Sequence, residues 1–323
     1  MTVTLEEIRA AQMRIAGKVA RTALQPSDAL SRRCGVPVYM KMEHRQPTGA
    51  FKLRGATNAV AMLGEDQRPR GVVAASTGNH GRALAYAAGL EGIDATICMS
   101  QLVPHNKRDA IAKLGAQICI VGDSQDDAQA KAELLVAQHG MTMVPPFDDA
   151  GVIAGQGTIG LELIEDFPQL DTLLVQLSGG GLASGVAAAV KSLRPQTRVI
   201  GVSMARGAVM QASLTAGKPV QLREEETLAD SLGGGIGLAN RHTFAMCRDL
   251  LDGVILLSEQ EIAAGIAHAY DEEREIVEGA GAVGIAALLA DKVKPRGPVA
   301  LILSGRNIDM DLHRRVICGE YAQ

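Results

Sequence analysis

Tryptophan is absent from this chain and phenylalanine and tyrosine number four each, so aromatics make up 2% of the residues. Proteins that grip single-stranded nucleic acid stack bases on aromatic side chains, so that class is disfavoured from the outset. An excess of positive charge is lacking too. Lysine and arginine total 32 against 36 acids, a formal net charge of −4, which argues against a nucleic-acid or membrane-surface binder. The cysteines Cys34, Cys98, Cys119, Cys247 and Cys318 are odd in number, widely spread, and never paired as C-x-x-C. Neither a disulfide framework nor a zinc site fits, and each is expected as a reduced, small, buried hydrophobe in a cytoplasmic protein. Long apolar runs are missing as well. The longest, 279–290, is too short to span a bilayer and reads as a buried helix. The first residues carry Glu6 and Glu7 and no apolar segment, so no signal peptide is expected.

What is present is small and apolar. Hydrophobic residues are 47%, charged residues 21%, and glycine occurs 36 times in 323 residues, an ordinary globular composition. At roughly 150 residues per domain, about two domains are expected. Short β-rich runs at 71–75, 95–99, 117–121, 141–144, 172–177, 198–203 and 298–303 read as strands. Helical patterns at 80–90, 104–114, 125–139, 151–167, 182–193, 259–274 and 280–291 lie among them, with a short terminal helix. Pro104 suits a first helical turn and Gly115 a stop. This alternation predicts an α/β protein of doubly wound parallel sheets. Pro145-Pro146 is the candidate domain crossing.

Several segments could carry chemistry. Ser178-Gly179-Gly180-Gly181-Leu182 follows an apolar strand and opens a helix. Consecutive glycines let N–H groups turn inward together at a positive helix end, which suits a phosphate; a flexible turn is the alternative. No Lys-Ser/Thr ending follows, so ATP hydrolysis is not favoured. The run from Gly155 to Gly160 matches G-x-G-x-x-G, but a polar loop precedes it where a dinucleotide site needs a strand. Packing glycines within a helix are the better reading. Lys52 lies between Phe51 and Leu53 at the start of an Ala-rich helix. It is either a solvated surface charge or, held by apolar neighbours, a lysine with depressed pKa able to form a Schiff base. Ser76-Thr77-Gly78-Asn79-His80 follows a strand and opens a helix, where it either caps the helix or offers donors to a carboxylate. Ser304 ends the last apolar strand, at the edge where α/β ligands bind.

Four blocks, T-G-A-F-K-L-R-G-A, S-T-G-N-H-G, S-G-G-G-L and S-G-R-N, occur in this order along nearly the whole chain. Together they resemble the pyridoxal-phosphate enzymes of fold type II, in the branch of threonine and serine dehydratases and serine racemases. The resemblance implies pyridoxal 5'-phosphate held between two doubly wound parallel-sheet domains. The large one would comprise 1–70 with 148–323, and a small mobile one 71–147. Lys52 would form the Schiff base and shuttle the α-proton. Phe51 would pack beside the cofactor and Asn79 would bond its 3-oxygen. Ser178, Gly179, Gly180, Gly181 and Leu182 would cradle its phosphate. Ser76, Thr77, Gly78, Asn79 and His80 would hold the substrate carboxylate. Ser304 would face the ring nitrogen. A neutral serine there leaves that nitrogen unprotonated, whereas an acid would strengthen the electron sink and favour transamination, so Ser304 fits elimination.

The implied activity is α,β-elimination on a small β-hydroxy amino acid, a dehydratase and ammonia-lyase reaction. A homo-oligomer, dimer or tetramer, is expected, with neither nucleic acid nor membrane as partner. The chain departs from the usual pattern at Thr77, where racemases carry a second acid/base serine, and at Ser178, Ser231 and Arg306, which replace glycines. The branched Cβ of Thr77 limits its reach, so racemisation is expected to be minor. Arg306 either points outward or pairs with a second polar group on the substrate. The combination looks like the dehydratase sub-branch linked to hydroxyectoine breakdown. No carboxylate occurs in 203–209, after the strand where metal-activated members carry one, so no metal is expected. The competing readings are racemase, β-replacement enzyme and non-catalytic metabolite-binding protein.

Overall fold

Residues along the central strands alternate between two cores. Leu173 and Val175 belong to one buried cluster and Leu174 to another. Ala300 and Ile302 likewise face the first, Val299 and Leu301 the second. A period of two with both sides apolar is what a strand covered by helices on both faces requires.

The computed structural model describes residues 3–76, 78–103 and 105–321. The chain opens with α1 (Leu5–Ile15), β1 (Leu24–Pro26), α2 (Asp28–Cys34), β2 (Val38–Lys41) and α3 (Lys52–Ala61). Next come β3 (Val72–Ala75), α4 (Asn79–Leu90), β4 (Ala95–Met99), α5 (His105–Ala112), β5 (Gln117–Ile120), α6 (Gln125–His139) and β6 (Thr142–Met143). Then follow α7 (Ala150–Asp166), β7 (Thr172–Gln176), α8 (Gly181–Leu193), β8 (Arg198–Met204), α9 (Val209–Ala216) and α10 (Thr243–Leu250). The chain closes with β9 (Gly253–Leu257), α11 (Glu259–Asp271), α12 (Gly279–Leu289), β10 (Val299–Ile302) and α13 (Met310–Ile317).

These strands form two sheets. One has the order β1-β2-β10-β7-β8-β9, and the other, β5-β4-β3-β6, is drawn from the segment between β2 and β7. The α/β class with parallel sheets is as expected. One pairing departs from it: β1 runs antiparallel to β2. β1 was not anticipated, because three residues ending in Pro26 carry little signal, and proline suits the sheet edge where no partner needs its N–H. β10 lies between β2 and β7, while β8 and β9 build outward from β7 on the other side. The chain therefore reverses direction between β7 and β10, and ligands of open α/β sheets bind at the carboxyl ends of such a pair.

Glycines set the helix spacing beneath this point. A Cβ on Gly155 would stand 2.6 Å from the Arg54 carbonyl, and one on Gly160 2.8 Å from that of Val186. Helices α3, α7 and α8 thus meet backbone to backbone, and the G-x-G-x-x-G run lies wholly inside α7. The cysteines are only partly as expected. Cys98 and Cys247 are buried, Cys34 and Cys119 half-buried, and Cys318 exposed, because it follows the amphipathic terminal helix α13 rather than entering a core. The helix expected over 259–274 stops at Asp271, and Arg274 adopts φ 59°. Pro104 lies outside the described residues.

Candidate active site

The loop before α3 is stitched to the end of β10. Ala50 bridges to Gly305, the Phe51 N–H donates to the Ser304 carbonyl at 2.9 Å, and the Arg306 N–H to the Gly49 carbonyl at 2.9 Å. Gly49 turns with φ +79° against Asn307, and a Cβ there would lie 2.7 Å from Asn307 Oδ1. Lys52 is thereby fixed at the first turn of α3, beside the buried Ser304. Its Nζ donates to the Pro146 carbonyl at 2.5 Å and lies 5.4 Å from the centre of the Phe51 ring. Among the described residues no carboxylate pairs with it, and desolvation by burial lowers its pKa to about 8. Of the two readings of Lys52, the structure supports the activated one.

His80, in α4, is buried, and its Nε2 donates to the Val144 carbonyl at 2.8 Å. A carbonyl can only accept, so Nε2 carries the proton. Burial, and then the charge of Lys52, lowers its pKa to about 3, so it is neutral. Its Nδ1 is buried without a partner among the described residues.

After β7 the chain enters the glycine run. Gly180 takes φ +89° and N-caps α8 without any side-chain cap, so the first N–H groups of α8 are left for a ligand. A Cβ on Gly179 would lie 2.4 Å from the Phe147 ring, and one on Gly180 2.8 Å from Met210 Cε. Leu182 is buried in the core below, in the same cluster as Phe51, and Ser178 is half-buried. Pro146, which accepts from Lys52, precedes Phe147, so the cradle and the lysine share one wall.

The loop after β3 makes the third side. Ser76 Oγ accepts from the Gly81 N–H at 3.0 Å, so this hydroxyl braces the first turn of α4. The helix N-cap is Gly78, without a side-chain cap. Thr77, expected to be catalytic and substrate-binding, lies outside the described residues. Asn79 is buried with both ends of its amide engaged: Nδ2 donates to Glu278 at 2.7 Å and Oδ1 accepts from Asn307 at 2.6 Å. Arg306 is exposed and makes no side-chain hydrogen bond among the described residues. Glu278 and Asn307 were missed in the sequence. An acid directly before the apolar run of α12 was the available signal for the first.

Among the described residues no group of three or more His, Cys, Asp or Glu is placed to hold a metal, and no helix is long and apolar enough to cross a membrane. A surface cleft of about 650 Å³ opens at the opposite, amino-terminal ends of β8 and β9, lined by Arg198, Gly253 and Lys292, and holds none of these groups.

A lysine with a destabilised ammonium and an uncapped glycine cradle, gathered at strand carboxyl ends, define an enzyme built round an activated amine and a phosphate-bearing ligand. The chain belongs to the pyridoxal-phosphate dependent enzyme family, which matches residues 15–305, and its cofactor is pyridoxal 5'-phosphate. It is 61% identical over 318 residues to a Sinorhizobium fredii protein described provisionally as a threonine dehydratase, covering 98% of this chain and 96% of that one. It is 42% identical to an L-threonine ammonia-lyase of Thermotoga maritima, over 98% of this chain and 78% of the relative. The structure of maize serine racemase superposes with a TM-score of 0.92 at 33% identity, covering 99% of this chain and 98% of that one. The residues present fit the cofactor: the N–H groups that open α8 have no side-chain cap, and the Lys52 amine, its pKa lowered, shares a wall with them.

Proposed function

We propose that this chain is a dehydratase and ammonia-lyase that removes water and then ammonia from a small β-hydroxy amino acid. The observation that carries this is the pairing of a low-pKa lysine with a serine, not an acid, at the end of β10. When bound, the cofactor supplies a sink for the electron pair left at the substrate α-carbon. Lys52 would hold the cofactor through Nζ and, once the substrate amine has taken its place and freed that nitrogen, would take the α-proton there; a pKa lowered to about 8 leaves part of the free lysine as an unprotonated amine near neutral pH. The N–H groups of 178–182 bind the phosphate, Phe51 packs beside the ring, Asn79 bonds the ring oxygen, and Ser304 faces the ring nitrogen. Ser76, Thr77, Gly78, Asn79 and His80 hold the substrate carboxylate. His80 contributes its backbone N–H in the first turn of α4, since its neutral ring has its one N–H on the Val144 carbonyl and offers the carboxylate no donor. Residues 71–147 act as a small mobile domain that closes over the substrate and excludes water. Loss of the α-proton and the β-hydroxyl yields one water and an enamine, and hydrolysis of its imine tautomer yields a 2-keto acid and ammonia.

The relatives described as a threonine dehydratase and an L-threonine ammonia-lyase support this reaction class. The substrate is threonine- or serine-like, or a hydroxyectoine-derived hydroxy amino acid that Arg306 would recognise. The enzyme works as a cytoplasmic homo-oligomer. The test is a panel of L-hydroxy amino acids with 2-keto acid and ammonia measured together. Equal amounts of both from at least one substrate are expected. Formation of D-serine faster than pyruvate from L-serine would replace this reading with a racemase.

A further inference from the structure

Glu278 N-caps α12, and its carboxylate is turned inward, 4% exposed. Its Oε1 accepts from Asn79 Nδ2 at 2.7 Å and its Oε2 from the Asn307 N–H at 2.9 Å. Gly305 leaves it space, since a Cβ there would lie 2.5 Å from Oε1. Asn307 closes the circuit. Its Nδ2 donates to Asn79 Oδ1 at 2.6 Å and to the Thr48 carbonyl at 3.0 Å, while its Oδ1 accepts from Arg82 at 3.3 Å. One carboxylate thus joins α4, α12, the loop after β10 and, through Asn307, the loop that precedes Lys52.

An ionised carboxylate only accepts, and an amide NH₂ carries two hydrogens. With an acceptor facing its Nδ2 and a donor facing its Oδ1, Asn79 has one stable orientation and one N–H left over. We propose that Glu278 is a positioning residue which, when ionised, locks the Asn79 amide so that its second N–H is presented to the cofactor ring oxygen, and which releases that lock on protonation. This rests on the reading of Asn79 as the ligand of that oxygen. A protonated Glu278 can donate to Asn79 Oδ1, so it no longer dictates which end of the amide faces the cofactor.

The charged groups acting on Glu278 are Asp230, which pairs with Lys107 at 3.4 Å, and Arg82. Burial first, and Asp230 next, raise the Glu278 pKa to about 7, against the hydrogen bonds from Asn79, Asn307 and Ser231. The lock is therefore present above about pH 7 and is lost as pH falls through that value.

The test uses the loaded enzyme and the visible absorbance of its lysine-bound cofactor, titrated from about pH 6 to pH 9 around that value. Wild type should show a spectral transition near neutrality. Glu278→Gln, which does not titrate and has one acceptor oxygen for two facing donors, Asn79 Nδ2 and the Asn307 N–H, should lose the transition and bind cofactor about tenfold more weakly, the scale of one hydrogen bond to a charged group. Glu278→Asp should restore part of both. Asn79→Ala should abolish the transition even if Glu278→Gln fails to fold. A merely structural Glu278 would change melting temperature and leave the titration intact. An absent transition in wild type, or one unchanged in Glu278→Gln, overturns the proposal. Borohydride reduction separates the two levels: cofactor fixed on Lys52 with an unchanged titration rejects the role of Glu278, whereas cofactor absent from Lys52 rejects the site reading beneath it.

Discussion

Arg54→Met should destabilise the protein far beyond an ordinary surface change. Arg54 is 1% exposed, two residues after Lys52 in α3. Its guanidinium binds Glu43 at 2.8 and 2.7 Å and Glu162 at 2.6 and 2.9 Å. Lys41, wholly buried, binds Glu162 at 2.5 Å. Two cations and two carboxylates are thus sealed together at the helix that begins with Lys52. Removing Arg54 leaves Glu162 with Lys41 but Glu43 with only Thr22 and Gln46. Breaking a buried ion pair from one side costs about 3–5 kcal/mol. At ~2.1 cal/mol/K per residue over 323 residues, that is a fall in Tm of about 4–7 °C. The pH response follows from Glu43. Burial raises its pKa, but the charge and hydrogen bonds of Arg54 outweigh this and hold it below the usual carboxylate value. Its stabilisation is complete above the unfolded carboxylate pKa and is lost as pH falls through the lower folded one. Without Arg54 only the Thr22 hydrogen bond and the Lys41 charge oppose burial, so acid unfolding should move to higher pH. Melting curves across pH for Arg54→Met, Glu43→Gln and the double variant measure both effects. The double variant should recover at least about 1 kcal/mol relative to the sum of the singles. Additive losses, or a loss below about 1 kcal/mol for Arg54→Met, would refute the reasoning, because a coupled buried pair cannot behave so.

Gly180→Ala forces a side chain into φ +89° and places its Cβ 2.8 Å from Met210 and 2.9 Å from Thr243. Strain of about 1–3 kcal/mol should weaken cofactor binding by about 5- to 150-fold, read as a dissociation constant by absorbance; unchanged affinity would show that the cradle is elsewhere. Arg306→Gly should raise activity on L-threonine relative to the native substrate by about 1–3 kcal/mol of transition-state binding, measured as a ratio of kcat/KM values. An unchanged ratio would make Arg306 a surface residue.

Chemistry carried by contiguous residues was legible in the sequence, and chemistry assembled across the fold was not. The glycine run announces itself because the end of β7 at Gln176, the turn and the start of α8 at Gly181 are contiguous, and Lys52 stands out by its apolar neighbours Phe51 and Leu53. Strand β4 and helix α6 were read to the residue, since β4 is a short, mostly buried apolar run and α6 has clear stops, Ser124 in a capping box and Gly140 in the left-handed region. β2 and β9 were missed. Lys41 in β2 reads as a surface charge until Glu162, 121 residues away, is brought beside it, and β9 is a five-residue edge strand. α1 was missed although Thr4 and Glu7 form a capping box, a signal short enough to read locally. Glu278 showed locally only as an acid before an apolar run; its partner Asn79 is 199 residues distant.

The most direct test is to identify the lysine that holds the cofactor. Borohydride reduction of the loaded enzyme, followed by peptide mapping, should place the reduced cofactor on Lys52. Lys52→Ala should lose both the adduct and turnover. A cofactor fixed to another lysine, or a reducible adduct that persists in Lys52→Ala, would contradict the account.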